Sequence, residues 1–372
     1  MERPMRILVT GARGFIGKNL LVRLGEWAGI EALTFARGDS VETLAARVAQ
    51  ADAIVHLAGE NRPSDIADFA QVNTELTRTL CAAIRQTARS IPLLLASSTQ
   101  AERDNPYGQS KRAAEEAVEA FAAETGNPVI IYRLPGVFGK WCKPNYNSVV
   151  ATFCHNMTRG LPIQINDPAA SLRLVYVDDV VSALIAALQS PVDGVTQERV
   201  QPEYEITLGE LADQIRAFRN CRSTLMSERV GTGLIRALYS TYISYLPPEH
   251  FAYDLPQYGD ERGVFVEMLK TPDCGQFSFF TVHPGVTRGS HYHHSKTEKF
   301  LVLKGTARMR FRHMVTGETY DITVSGDKPQ VVDSIPGWVH DITNVGDSEA
   351  VVMLWANEVF DRQHPDCIPC EV

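Results

Sequence analysis

The segment Thr10-Gly11-Ala12-Arg13-Gly14-Phe15-Ile16-Gly17 constrains this chain most. It joins an apolar run, Ile7-Leu8-Val9, to a helical pattern from Asn19 to Trp27. Glycines at such a junction permit a tight turn, and the helix that follows offers its N–H groups to an anion. An ordinary glycine-rich turn is the plainer reading, but it does not require a strand before it and a helix after it. The alternation then repeats. Ala53-Ile54-Val55 precedes the helical stretch Asn73 to Ala88, Leu93-Leu94-Leu95 precedes Ser110 to Thr125, and Val129-Ile130-Ile131 follows. This order predicts an α/β Rossmann-type, doubly wound parallel sheet, with a nucleotide held at Gly11, Arg13, Gly14, Phe15, Ile16 and Gly17.

From about residue 263 the helical period disappears. Val264 to Leu269, Phe277 to Val282, Lys299 to Leu303, Ala307 to Arg312, Tyr320 to Val324 and Val351 to Trp355 alternate between turn residues, which predicts an all-β barrel or sandwich. A chain of 372 residues exceeds one typical core. The expected division is 1–245 and 246–372, with the linker at Ser244-Tyr-Leu-Pro-Pro-Glu-His250.

A formal charge of −8 offers no basic field to a phosphate backbone, so nucleic acid is not an expected partner. No apolar run approaches the ~18 residues of a membrane span. The N-terminal residues lack a signal-peptide pattern, so the expected location is cytoplasmic. The cysteines at 81, 142, 154, 221, 274, 367 and 370 are scattered, as reduced thiols are. Cys367-Ile-Pro-Cys370 is a lone CxxC and reads as incidental.

The second apolar run, Ala32 to Ala36, ends at Arg37 instead of at an acidic residue. A guanidinium there suits a 2′-phosphate, which favours NADP(H), with Arg13 able to assist. A solvated surface arginine is the bland alternative, and Asp39 keeps an NAD reading open. Tyr107-Gly-Gln-Ser-Lys111 places a phenol and an ammonium on one helix face, where the charge is expected to lower the phenol's pKa. Ser97-Ser98 ends the preceding strand and can polarise a carbonyl beside that phenol.

Residues 6 to about 245 resemble the extended short-chain dehydrogenase/reductases. The matching motifs are Thr10-Gly11 to Gly17, His56-Leu57-Ala58-Gly59, Val72-Asn73, Ser97-Ser98, Tyr107 with Lys111, Tyr132-Arg133-Leu134-Pro135 and Val177-Asp178-Asp179. The resemblance implies that Ser98 orients a ketone, Tyr107 donates the proton and Lys111 holds the nicotinamide ribose. It also places Leu57, Ala58, Gly59 and Pro135 at the cofactor. Only nine positions separate Ser98 from Tyr107, shorter than usual in that family, which implies a more open pocket and leaves Thr99 as an alternative to Ser98. Extended members act on nucleotide sugars, so residues 137–147 and Arg173 would line the substrate site.

In the β-rich part, His291 and His293 are two apart and share a strand face, Glu298 follows, and His340 lies about 40 residues on. Three imidazoles and a carboxylate suit a divalent metal, with zinc, iron, manganese and nickel equivalent by donor type. Residues 263–360 resemble a cupin barrel, and zinc is the ion expected here. A bulge could exchange His294 for His293, and a barrel that binds no metal is the bland alternative. A reductase followed by a cupin, with Asp104 to Gly108 and Gly139 to Asn147, resembles the capsular polysaccharide enzymes of CapF type. That likeness implies a homodimer acting on a UDP-linked 4-keto-6-deoxy amino sugar. C3 epimerisation by the cupin and NADPH reduction at C4 would give UDP-N-acetyl-6-deoxy-L-talosamine for UDP-N-acetyl-L-fucosamine synthesis. An NAD-retaining 4-epimerase or dehydratase with a structural cupin, and a non-catalytic NADP-binding sensor, are the competing readings.

Overall fold

The computed structural model describes residues 3–62, 65, 67–190, 193–260, 263–266, 268, 269, 271, 275–358 and 363–372. By packing, the chain divides into two compact units, 1–148 with 172–205 and 149–171 with 206–372.

The first unit is built on a six-stranded parallel sheet. Its spatial order is 30–35, 5–10, 53–56, 93–98, 129–134, 195–198. The inner strands 53–56, 93–98 and 129–134 are buried almost throughout because helices cover both faces, while the edge strands 30–35 and 195–198 are partly exposed. Leu8, Ile54, Leu93 and Ile131 pack in one cluster with Leu44 and Val48 of helix 41–50, Leu80 and Ile84 of helix 76–86, and Val118 and Phe121 of helix 106–125. The chain winds outward in opposite directions from strands 5–10 and 53–56. Their carboxyl ends therefore border the crevice where an open α/β sheet takes its ligand. The expected helix over 73–88 is α-helical only at 76–86, and a π-helical turn at 70–75 precedes it.

The second unit contains helices 149–158, 208–224 and 233–244 and two antiparallel five-stranded sheets. One sheet orders strands 252–254, 330–333, 298–304, 350–356 and 276–282; the other orders 319–325, 306–313, 338–344, 287–292 and 368–369. The inward positions, Phe300, Met309, Phe311 and Val352 among them, are buried, as are Val339 and Trp355 on the alternate face of the same strands. This is the expected cupin-like barrel. The expected strand 264–269 is found at 263–266, while residue 267 lies outside the described residues, as does Cys274. Strands 330–333 and 338–344 were not expected, and the strand implied by His291 and His293 ends at Tyr292, so only His291 of the pair lies on it.

Ser244 to His250 does not break the packing. Asp333 accepts from Lys299 Nζ at 2.6 Å on the sheet face under the helices and from Arg222 Nη2 of helix 208–224 at 2.5 Å. Lys299 is almost fully buried, and a buried charge persists only when it is paired. Asn357 Nδ2 donates to Val230 O at 3.3 Å, and Ser240 Oγ donates to Ser295 O at 2.5 Å. These contacts bind residues 206–245 to the β-rich part.

Candidate active sites

Gly11 closes the first strand with φ of +67°, and a Cβ there would stand 2.7 Å from Ala58 N. Only glycine lets the two loops at the crevice approach so closely. Gly14 caps helix 15–25, and no side chain satisfies the first-turn N–H groups. That leaves donors and the positive helix end open to a pyrophosphate. Thr10 Oγ1 accepts from Ala58 N at 3.2 Å and meets His56 Nδ1 at 2.6 Å, while His56 Nε2 meets Thr77 Oγ1 at 2.9 Å. Burial, with the charge of Lys111, brings His56 down to about 3, so it is neutral and structural.

Beyond the second strand, a cavity of about 250 Å³ is lined by Arg13, Arg47, Thr34, Thr43 and Asp39. One Asp39 oxygen accepts from Ala36 N at 2.8 Å, closing the turn. Arg37 is exposed and donates to Glu60 Oε2 at 2.5 Å. Burial alone would raise Glu60, but hydrogen bonds from Tyr146, the Arg62 N–H, Arg37 and the Asn61 N–H bring it down to about 2. Tyr146 reaches Glu60 Oε1 at 2.6 Å, and Asn73 Oδ1 accepts from Glu60 N at 2.8 Å. Asn73 Nδ2 also donates to Ser110 Oγ at 3.0 Å, which ties the 60-loop to the Tyr107 helix.

That helix, 106–125, begins at Asn105, whose side chain accepts from Gly108 N at 2.8 Å, with Pro106 at the first position. The backbone oxygens of Gln100 and Arg103 press against Gly108. The short 99–105 connection can therefore close only over a residue without a Cβ. Ser98 Oγ accepts from Gln100 N at 3.1 Å, and its hydroxyl favours the ionised form of the Tyr107 phenol. Of the Ser98 and Thr99 pair, Ser98 is the one placed on the phenol. The expected lowering of Tyr107 is not found. Burial raises it, against the Ser98 hydroxyl, because Lys111 turns aside to donate to Ala96 O at 3.1 Å. Lys111 is itself buried, and that burial brings it down to about 8 although Glu115 pulls the other way. Glu115 is held by Arg133 at 2.7 Å and by Ser97.

Pro135 joins strand 129–134 to strand 136–138. In the segment after it, Trp141 (φ +67°) and Asn145 (φ +53°) occupy the left-handed region, which L-residues seldom hold without a local reason. Lys140 is buried and pairs with Asp178 at 2.6 Å, joining this segment to the Val177-Asp178-Asp179 motif. Arg173 is ion-paired with Glu203.

In the barrel, one ligand atom from each of His291, His293, Glu298 and His340 falls within 4.8 Å of the others. A register shift between Gly289 and His291, with Ser290 at φ +57°, sets His291 opposite His340. His294 turns away to stack on Tyr292 at 5.5 Å, so His293 holds the place in the cluster. His293 Nε2 lies 3.1 Å from Glu298 Oε2. His340 Nε2 is 3.6 Å from the same oxygen, too far for a hydrogen bond, and neither nitrogen of this buried ring has a hydrogen-bond partner among the described residues. Orphaned buried nitrogens converging on a carboxylate fit a cation. Burial, with His340 and His293 as neighbours, brings His291 down to about 4, and burial lowers His340 too. Burial would raise Glu298, yet the hydrogen bond from His293 and further help from His340 and Lys296 hold it well below the usual range. Neutral rings at His291 and His340 and an ionised Glu298 are protonation states that metal ligation requires. A cavity of about 200 Å³ opens beside them, walled by Phe280, Phe300, Met309 and Leu354, with Arg288 among the residues lining it.

Comparison with known proteins follows this division. The NAD dependent epimerase/dehydratase family matches residues 7–202, and the polysaccharide biosynthesis C-terminal domain matches 258–368. The chain belongs to the NAD dependent epimerase/dehydratase family. Within curated proteins it is similar to a UDP-2-acetamido-2,6-beta-L-arabino-hexul-4-ose reductase of Pseudomonas aeruginosa, 56% identical over 368 residues and 99% of each chain. Among solved structures it is similar to the capsular polysaccharide assembling protein CapF of Staphylococcus aureus, at 42% identity and TM-score 0.68, over 99% of this chain and 100% of that one. A UDP-glucose 4-epimerase of Thermotoga maritima, at 23% identity and TM-score 0.53 over 58% of this chain and 83% of its own, shares the family's nucleotide-binding fold. Among the described residues no helix is long and apolar enough to cross a membrane.

Glu60, Arg47 and Glu115 carried no sequence signal as site residues. Asn73 and Tyr146 lay within recognised segments without a role, and the hydrogen-bond network alone supplies one.

Proposed function

We propose that this chain is a bifunctional nucleotide-sugar enzyme of capsule or O-antigen synthesis. In this reading the barrel, within 246–372, epimerises a UDP-2-acetamido-2,6-dideoxy-4-hexulose at C3. Residues 1–245 then reduce its C4 ketone to give UDP-N-acetyl-6-deoxy-L-talosamine. The carrying observation is the buried phenol of Tyr107, one helical turn from buried Lys111 and within the influence of the Ser98 hydroxyl at the sheet's carboxyl edge. The full-length likeness to a UDP-4-keto-sugar reductase supports the substrate class.

Bound NADPH would supply the hydride to C4. Gly11, Gly14, Phe15, Ile16 and Gly17 would seat its pyrophosphate, Leu57, Ala58, Gly59 and Pro135 would border it, and Arg37 and Arg13 would meet the 2′-phosphate. Ser98 would donate to the ketone oxygen and orient it. Tyr107 would pass its proton to that oxygen as the alcohol forms, and its raised pKa keeps the phenol protonated at neutral pH. Lys111 would hold the ribose.

His291, His293, Glu298 and His340 would hold a divalent cation, zinc in our proposal, whose chemistry there is to polarise a ketone and acidify the neighbouring C–H. The apolar walls around the cluster would exclude water from the reacting carbon. A homodimer in the cytoplasm completes the reading.

NMR of the product formed from the UDP-4-keto sugar and NADPH in D₂O tests both halves. Deuterium at C3, hydride at C4 and one NADPH consumed per sugar are expected. Turnover without net NADPH consumption would give the chain to an NAD-retaining epimerase or dehydratase. Reduction without C3 deuterium would make the barrel structural.

A further inference from the structure

We infer that Asp366 is a positioning residue for the four-ligand cluster of the barrel, an inference that rests on the metal reading above. Its main-chain carbonyl accepts from His293 Nδ1. A carbonyl can only accept, so this contact requires Nδ1 to carry a proton and turns Nε2, 3.1 Å from Glu298 Oε2, toward the cluster. A metal-bound imidazole is commonly fixed in this way through its other nitrogen.

The Asp366 carboxylate secures the turn that follows His293. Its Oδ1 accepts from His294 N at 2.8 Å, and its Oδ2 accepts from Ser295 N at 2.7 Å, Lys296 N at 2.8 Å and Ser295 Oγ at 3.1 Å. That turn leads directly to Glu298, so one aspartate orients one ligand and braces the connection to the next. The tail is held from the far side as well. Ile368 and Pro369 pair antiparallel with Tyr292 and His291, and Cys370 N donates to Ser290 O at 2.9 Å. The Cys367-Ile-Pro-Cys370 segment, incidental by sequence, thus forms the strand that delivers Asp366.

The test is zinc affinity, read by competition of metal-stripped protein against a chromophoric chelator. Asp366→Ala keeps the main-chain carbonyl but removes the carboxylate that holds it against the turn, and should bind zinc about 10-fold more weakly, the lower end of the effect of disturbing a ligand's support. Glu371→Ala, on the same tail but off the turn, should stay within twofold of wild type. Wild type that binds no stoichiometric zinc would remove the metal reading itself. Wild type that binds, with folded Asp366→Ala within twofold of it, overturns the role of Asp366 alone. A measurement on zinc-loaded wild type needs no variant to fold. Long-range ¹H–¹⁵N correlation should show His293 protonated at Nδ1, and protonation at Nε2 would overturn the inference.

Discussion

Burial brings Lys111 down to about 8 from an ordinary 10.5, and the shift sets a stability that depends on pH. Below pH 8 the ammonium is charged in folded and unfolded chains alike, and the folded state bears the whole cost of burying it. A shift of this size corresponds to about 3 kcal/mol. Between 8 and 10.5 the folded chain loses its proton first and the cost declines. Above 10.5 the amine is neutral in both states and the cost is gone. Lys111→Met, similar in length and without charge, should therefore exceed wild type in stability by about 3 kcal/mol at pH 7 and by only about 1 kcal/mol at pH 10. Urea unfolding of both proteins at the two pH values isolates this residue, because every other titrating group is common to both. The same variant should bind NADPH less tightly, since it lacks the group assigned to the ribose. A stability difference that stays flat between pH 7 and pH 10 would refute the burial argument. It would mean that Lys111 is paired with a charge or reached by water in solution.

Three further substitutions separate the assigned roles. Tyr107→Phe should lower kcat for ketone reduction by about 10²- to 10⁴-fold while NADPH binding and C3 exchange in D₂O persist; a variant keeping half its rate would need another proton donor. Arg37→Asp should lower the preference for NADPH over NADH in kcat/KM by at least about tenfold, as expected for loss of one charge-assisted hydrogen bond. An unchanged preference would transfer the 2′-phosphate to Arg13 and Arg47 in the adjoining cavity. His291→Gln should lose zinc and C3 exchange yet still bind NADPH, with far-UV circular dichroism showing a folded barrel. Wild-type exchange in that metal-free protein would leave the cluster without a catalytic role.

The glycine loop, the Tyr107 and Lys111 spacing and the His291 and His293 pair were legible because each depends on a local period, whereas His340, 42 residues beyond Glu298, was read through the cupin resemblance. Turn geometry, helix face and strand face are fixed within a few residues. The direction of the Tyr107 shift was not legible. Two groups on one helix face need not point at one another, and Lys111 spends its proton on Ala96 O. Nor was Glu60, which collects partners from positions 37, 73 and 146 that only the sheet brings together. Asp366 lies 73 residues from His293, and no pattern links a main-chain carbonyl to an imidazole across that separation. Helices 208–224 and 233–244 have the periodicity of the first half, yet their partners Asp333 and Ser295 lie in the second. Periodicity reports which residues are buried and not what buries them.

Because the two packed units take residues alternately, the chain passes from one to the other three times, after 148, 171 and 205. During synthesis, the first unit is incomplete until residue 205 has emerged, and 149–171 must wait as an unfilled insert until the barrel residues follow. A fragment ending at 245 would carry helices cut off from Asp333 and Ser295, and a fragment beginning at 246 would lack them. A cut after residue 245 would thus run through the second packed unit, so the boundary between the two proposed chemistries is not the boundary between the packed units.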